Sequence, residues 1–275
     1  MFPIKISSCR CNFAVLIWLL SFKVFCYASE IDIVSKDEPP YIFAANENSH
    51  QAKGPIVDVI NAVCSEMSIN CAVTIFPWPR AQAMVRLGSV QAIALVRRTD
   101  DRATWLDFSP PIVDSEYGFF VKEENQLNYL SPKDITNYKV AVYGPSATED
   151  ELHELSKQNP NFKEEITPDI ESGFRKLTVN RVDAVFSNKA IGEAYIARMH
   201  LTGLRYAGVE KRFQYFIGFS KKITDAEFVR CFKTAYLSLY FKGKIGSILA
   251  AQGLTPAILR KNYQYVENLE AAKFK

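Results

Sequence analysis

Apolar and polar positions along this chain follow two rhythms, one of period two and one near 3.6. Ile31-Asp32-Ile33-Val34 alternates like a short strand. Asp37-Glu38-Pro39-Pro40 must be a loop, because prolines cannot donate to a ladder. Residues 44–53 are polar and read as a hairpin or loop. After Gly54-Pro55, Val59, Ile60, Val63, Cys64 and Met67 form a helical stripe. Residues 72–76 make the next strand, Pro77-Trp78-Pro79 turns the chain, and a second helix follows. Pro79 suits its first turn and Gly88 its stop. Residues 90–96 form a strand. Residues 97–102 and 107–111 read as loops, the first with the start of a short turn.

This β-α-β-α-β series runs into an apolar, aromatic stretch with one glycine, Tyr117-Gly118-Phe119-Phe120-Val121-Lys122. A second such stretch is Phe213-Gln214-Tyr215-Phe216-Ile217-Gly218-Phe219. Both read as buried strands. Between them lies another complete α/β pattern. Its strands are predicted at 139–143, 162–167, 182–186 and 204–207. Its helices follow a cap at Ser146 or Thr148, begin at Asp169, and cover 188–199. Helices at 224–241 and 244–252 should pack back on the first unit. A chain that leaves one α/β unit, builds a second and returns has two lobes joined by two strands. The expected fold is therefore α/β with two mixed sheets. Lobe 1 is expected at 29–119 plus 216–262, lobe 2 at 120–215, and a tail at 263–275. Such lobes close by hinge motion, and the cleft between them is a favoured ligand site.

Composition adds a compartment. Lys5 and Arg10 precede the apolar run Phe13-Ala14-Val15-Leu16-Ile17-Trp18-Leu19-Leu20, and Cys26-Tyr27-Ala28 offers small residues where a signal peptidase reads. This is expected to be a secretory signal, cleaved after Ala28, that sends the protein to the periplasm. Lys23 interrupts the apolar stretch and argues against an uncleaved anchor. The formal charge of +3 resides in that segment: it holds three of the 33 basic residues and none of the 30 acids. The balanced remainder gives no reason to expect a nucleic-acid or membrane-surface partner. Six cysteines fall to Cys64, Cys71 and Cys231 after cleavage. Cys64 and Cys71 flank a helix-to-strand turn and are expected either to form a disulfide or to be two buried thiols. Cys231 is expected to be a small core residue. No His/Cys spacing points to a metal, and no cofactor is called for.

Several local motifs, in this order, resemble one family. They are Pro40-Tyr41, Gly54 with Asp58, Cys64 with Cys71, and Thr99-Asp100-Asp101-Arg102. Asp107-Phe108-Ser109 with Pro111, Val182-Asp183-Ala184, and Gly243 with Gly253 complete the set. Together they resemble the periplasmic solute-binding proteins of ABC transporters, family 3, of the polar amino-acid-binding type. The resemblance runs roughly from Ile31 to Leu254. It implies a two-lobed protein, monomeric, that captures a small ligand by hinge closure and delivers it to a transporter permease.

The resemblance places candidate ligand contacts at Arg102, Trp78, Tyr41, Glu38, Asn188, Ser146 and Arg97. Arg102 stands where relatives pair an arginine with the ligand α-carboxylate, which suits a bidentate guanidinium. The competing role is a salt bridge to Asp100, Asp101 or Asp107. Trp78 and Tyr41 are either ligand-facing or packing aromatics. Glu38 either selects a positive ligand group or is a solvated carboxylate. Arg80 is better read as a helix-surface residue, while one of Arg97 and Arg98 is expected to line the site. Asn188 replaces the acid that commonly holds a ligand ammonium, and Pro145 removes a backbone donor beside Ser146. Arg97 replaces a small residue of relatives, and with Arg80, Arg98 and Arg102 nearby these departures point to a cationic cleft and a carboxylate-bearing or otherwise anionic ligand.

Two rival functions share this pattern. One is a ligand-sensing module for a membrane signalling partner. The other is a dehydratase-like enzyme, for which Glu38 or Glu193 would supply the acid or base. There is no nucleophile motif and no Ser/His/Asp order, so the expectation is a binding protein and not an enzyme.

Overall fold

The computed structural model describes residues 30–46 and 49–259. The export segment at 1–28, residues 260–262 and the tail at 263–275 lie outside the described residues. The first half of the chain forms β1 (Glu30–Ser35), the small hairpin β2 (Phe43–Ala44) and β3 (Ala52–Lys53), then α1 (Pro55–Glu66) and β4 (Asn70–Ile75). Next come α2 (Trp78–Leu87), β5 (Ala92–Arg97), α3 (Asp100–Trp105), β6 (Leu106–Phe108) and β7 (Val113–Lys122). A 3-10 turn at Pro132–Ile135 leads to β8 (Lys139–Tyr143), α4 (Ala147–Gln158), β9 (Lys163–Thr167), α5 (Ile170–Thr178) and β10 (Ala184–Asn188). The element order of the described residues is completed by α6 (Lys189–Arg198), β11 (Leu204–Ser220), α7 (Ala226–Phe241) and α8 (Lys244–Ala250).

The strands follow the order β4-β1-β5-β11-β7-β10-β8-β9, with β6 on β11. β1 is parallel to β4 and β5, and β8 is parallel to β9 and β10. The long antiparallel pair β7–β11 joins the strands of the two lobes into one continuous nine-stranded sheet, so hydrogen bonding runs unbroken through the hinge. In the first lobe, Ile33, Ile56, Ile60, Val63, Phe219 and Tyr236 pack α1, α7 and α8 against one sheet face. Trp78, Ala81, Val85 and Ile93 fill the other face beneath α2. In the second lobe, Phe119, Val140, Leu152, Leu155 and Phe186 pack under α4.

Local signals explain most of the elements. Gly88 ends α2 in a left-handed conformation. Ser146 caps α4 by accepting from the amides of Thr148 and Glu149. Four expectations are corrected. Residues 97–102 are not a loop throughout: Thr99 accepts from the Arg102 amide and starts α3. Residues 107–111 contribute to β6. The strands expected at 204–207 and 213–219 are one strand of 17 residues, with register shifts at 206–208 and 209–211. Cys231 is exposed on α7, because the stripe that faces the core runs through Val229, Phe232 and Tyr236 instead.

Cys64 at the end of α1 and Cys71 in β4 form a disulfide with Cα atoms 6.2 Å apart. It closes a loop with a sequence separation of 7. Chain-entropy arguments give such a loop about 2–3 kcal/mol. The Cys64→Ala/Cys71→Ala pair is expected to lower the unfolding free energy in urea by about that amount, with the m-value little changed.

Candidate functional site

The carboxyl ends of the parallel strands in both lobes meet at one place. β1 delivers Lys36 and Glu38, β5 ends in Arg97, β8 in Tyr143, and β10 in Asn188. In open α/β sheets this edge is where ligands bind. The lobes are drawn together over it, and the cleft narrows to a cavity of ≈ 20 Å³ lined by Lys36, Glu38, Tyr143, Thr148 and Asn188 among others. That is room for about one water. A larger, open hollow of ≈ 1100 Å³ flanks the hinge strands. Its Glu116 already bridges Lys189 and Arg212, two side chains open to solvent.

Three groups of side chains organise the cleft. At its floor, Tyr41 from the first lobe shares a 3.0 Å hydrogen bond with Ser115 on β7. The Asn188 amide donates to Ser115 Oγ at 2.6 Å and to the Tyr215 hydroxyl at 3.2 Å. Its oxygen accepts from the Ile191 amide at 3.2 Å and caps α6. Burial pushes the Tyr41 phenol up to about 12, so it stays a neutral member of this network. Loop, both hinge strands and second lobe are thus tied through one buried polar cluster.

The second group surrounds a cation. The Lys36 ammonium lies 2.8 Å from Glu38, 5.4 Å from the Trp78 ring centre and 5.0 Å from that of Tyr143. Glu38 is only 4% exposed. Burial raises its pKa above the ordinary 4.5, and Lys36 and, more weakly, Arg102 oppose that rise. Its folded-state value therefore exceeds the unfolded one. Its contribution to stability is present in full below pH 4.5 and is lost as pH climbs through the folded value. Urea titrations between pH 4 and 7 should show wild-type stability falling relative to Glu38→Gln, and parallel profiles would refute this assignment.

The third group is Arg97 and Arg102. β5 carries one extra residue against β11, and Leu95 there adopts φ 57, a left-handed conformation that is costly for leucine. Leu95 lies two residues before Arg97, which reaches across the cleft to Glu151 on α4 at 2.8 Å. Asp37 and Arg198 make a second inter-lobe pair at 3.5 Å. Arg102 is 7% exposed. Its guanidinium donates to the Arg97 carbonyl at 3.0 Å and to Gln82 Oε1 at 3.3 Å, and lies 5.4 Å from the Trp78 ring centre. Among the described residues it has no carboxylate within ion-pair distance. Asp101, a competing partner, instead approaches Arg86 and Trp105. Burial lowers the Arg102 pKa without making it neutral near pH 7.

Glu38, Tyr41, Trp78, Arg97, Arg102 and Asn188 therefore cluster around the cleft. Ser146 sits at its edge, but its hydroxyl donates to the Tyr143 carbonyl and caps α4, which leaves it little free capacity. Arg80 stacks on Phe76, away from this cluster. Lys36, Tyr143, Ser115 and Glu151 were not expected. An aromatic at the end of a buried strand, just before Gly144-Pro145, was the available signal for Tyr143.

Two α/β lobes hinged on a shared strand pair, with polar side chains converging where the strands of both lobes end, define the two-lobed periplasmic binding protein fold. The chain belongs to the bacterial extracellular solute-binding proteins, family 3, whose model matches residues 31–215. It is 26% identical over 182 residues to an arginine-binding periplasmic protein of Mannheimia haemolytica, covering 66% of this chain and 71% of that one. An ancestral arginine-binding protein bound to arginine superimposes with a TM-score of 0.71 at 21% identity, over 82% of this chain and 98% of the other. A histidine kinase sensor domain similar to periplasmic binding proteins gives 0.73 at 20% identity, over 83% and 98%. At such identities the structural likeness speaks for the fold alone.

Proposed function

We propose that this protein captures a small carboxylate-bearing solute between its lobes and presents the closed form to an ABC transporter permease. One observation carries the ligand class: the buried Arg102 guanidinium lacks a carboxylate partner among the described residues. A buried cation of this kind is costly unless an anion joins it. A ligand carboxylate would supply that anion, and Trp78 would cover its apolar part. Lobe 1, at 29–119 plus 216–262, then contributes Arg102, Trp78, Tyr41, Glu38 and Arg97. Lobe 2, at 120–215, contributes Asn188 at the floor, Ser146 at the edge and the Glu151 clasp.

The arginine named in two relatives makes amino acids the first ligands to try. The likeness to a kinase sensor domain favours one second reading, a module that reports the same ligand to a membrane signalling partner. The binding step is common to both. A ligand that binds only the folded form raises its melting temperature. Amino acids, dicarboxylates, amines and small peptides should therefore be screened by thermal shift against wild type and Arg102→Met. Carboxylates are expected to stabilise wild type only. Stabilisation by amines alone, or equally in both proteins, would end this reading. Co-purification with a permease or with a kinase would decide between the two partners.

A further inference from the structure

The cleft contains what a cationic side chain would need: two aromatic faces, Trp78 and Tyr143, from opposite lobes, and a buried carboxylate, Glu38. An ammonium or guanidinium between such rings gains from both their quadrupoles and the carboxylate. In this chain the position is already taken. Lys36 reaches it from the end of β1, with its ammonium 2.8 Å from Glu38 and within 5.4 Å of both ring centres. Its side chain is 17% exposed, against 5% for that of Glu38. Glu38, whose backbone pairs with Ile42 in the same loop, is held in place to receive it.

We propose that Lys36 is a tethered occupant of a cation cage, and that it makes this protein discriminate against ligands with cationic side chains. This rests on the cleft being the ligand site, as argued above. The charges in the cleft support it. Arg97 is answered by Glu151, and Lys36 by Glu38, while Arg102 has no carboxylate within ion-pair distance among the described residues. Asn188, at the floor, is neutral and has both amide protons engaged. The unmet requirement is therefore for negative charge. An arginine-like ligand would place its carboxylate on Arg102 and then find Glu38 already paired. Its guanidinium would either displace Lys36 or sit beside it in a low-dielectric cleft, and both are unfavourable. An acidic or uncharged side chain meets neither obstacle. The selective element is repulsion built into the chain, a common route to specificity.

The test is calorimetric titration of L-arginine and L-glutamate into wild type, Lys36→Met and Lys36→Gln. L-arginine is expected to bind wild type at least about tenfold more weakly than it binds either variant, because removing the ammonium vacates the cage and frees Glu38. Affinity for L-glutamate, where wild type binds it, should not rise in the variants. Equal L-arginine affinity in all three proteins, or none in any, overturns the proposal. Should the variants not fold, wild type alone still decides. The Lys36 side-chain carbon and proton signals, shifted by the two rings, should stay in place while L-arginine is added up to about 10 μM, a concentration that only tight binding would exploit. Their movement to the position of a free lysine would show displacement and overturn the proposal. A carboxylate ligand that depends on Arg102 but is indifferent to Lys36 would sink this inference and leave the proposed function standing. Loss of the Arg102 dependence would sink both.

Discussion

Replacing Arg102 with methionine is expected to remove nearly all binding of the carboxylate ligand while leaving the protein folded. Truncating one partner of a buried, hydrogen-bonded charge pair costs about 2–5 kcal/mol, or roughly thirtyfold to several-thousandfold in affinity. The range is wide because the value depends on how well the guanidinium is desolvated, and 7% exposure places Arg102 towards the upper part. The unliganded protein should respond differently. Exchanging a buried cation that has no carboxylate partner among the described residues for an apolar side chain relieves a desolvation cost. It also leaves the Arg97 carbonyl and Gln82 without their donor, at about 1–3 kcal/mol for a group left unsatisfied. The two effects oppose one another, so stability should move by no more than about 2 kcal/mol. Calorimetry and urea denaturation on the same variant separate these outcomes. A large loss of stability with affinity retained would mark Arg102 as structural.

A second substitution should act on the fold and not on the ligand. Gly118 lies in β7, flanked by β10 and β11 where the chain crosses between lobes. A Cβ there would fall on the Gly208 carbonyl oxygen and the Tyr206 hydroxyl. The carbonyl belongs to the paired strand and cannot rotate aside, so Gly118→Ala is expected to lower the unfolding free energy by about 3 kcal/mol, the upper end for overpacking. Gly218 on the other crossing strand makes a useful contrast. A Cβ there meets mainly the Leu106 side chain, which can shift, so Gly218→Ala should cost closer to 1 kcal/mol. The Tyr206 hydroxyl is buried without a hydrogen-bond partner among the described residues. Adding Tyr206→Phe to Gly118→Ala should therefore recover only part of the loss, since the carbonyl clash remains. Equal effects at Gly118 and Gly218 would contradict this account.

Much of the architecture was legible because it is written in local patterns. The stripe through Val59, Ile60 and Val63 faces the core as a helix must, and Gly88 and Ser146 punctuate helices where their chemistry suits. The two glycine-bearing aromatic runs mark the strands that cross between lobes. What escaped depends on distant partners. Gly208 and the polar run Glu210-Lys211-Arg212 suggest a break in β11, yet pairing along β7 carries the strand through it with shifts of register. The charged stretch at 97–102 looks like a loop, and only Thr99 hinted at a helix cap. Asn188 and Ser146 were placed near the cleft by resemblance, but their polar atoms turn out to be engaged in capping and in the floor network. Lys36 was invisible because a lysine in a loop is ordinarily solvated. Only the fold brings Trp78 and Tyr143, from different lobes, to either side of it.

The narrowness of the cleft also has a consequence for the clock of binding. Arg97 with Glu151 and Asp37 with Arg198 clasp the lobes together, and the cavity of ≈ 20 Å³ left in the cleft admits no amino acid until the lobes part. If parting comes first, the observed association rate in stopped flow will not climb indefinitely with ligand concentration. It will level off at the opening rate, and apparent affinity will be diminished by the fraction of time the cleft stands open. Weakening the clasp at its other pair, for example with Arg198→Gln, should raise that plateau without altering the groups proposed to face the solute.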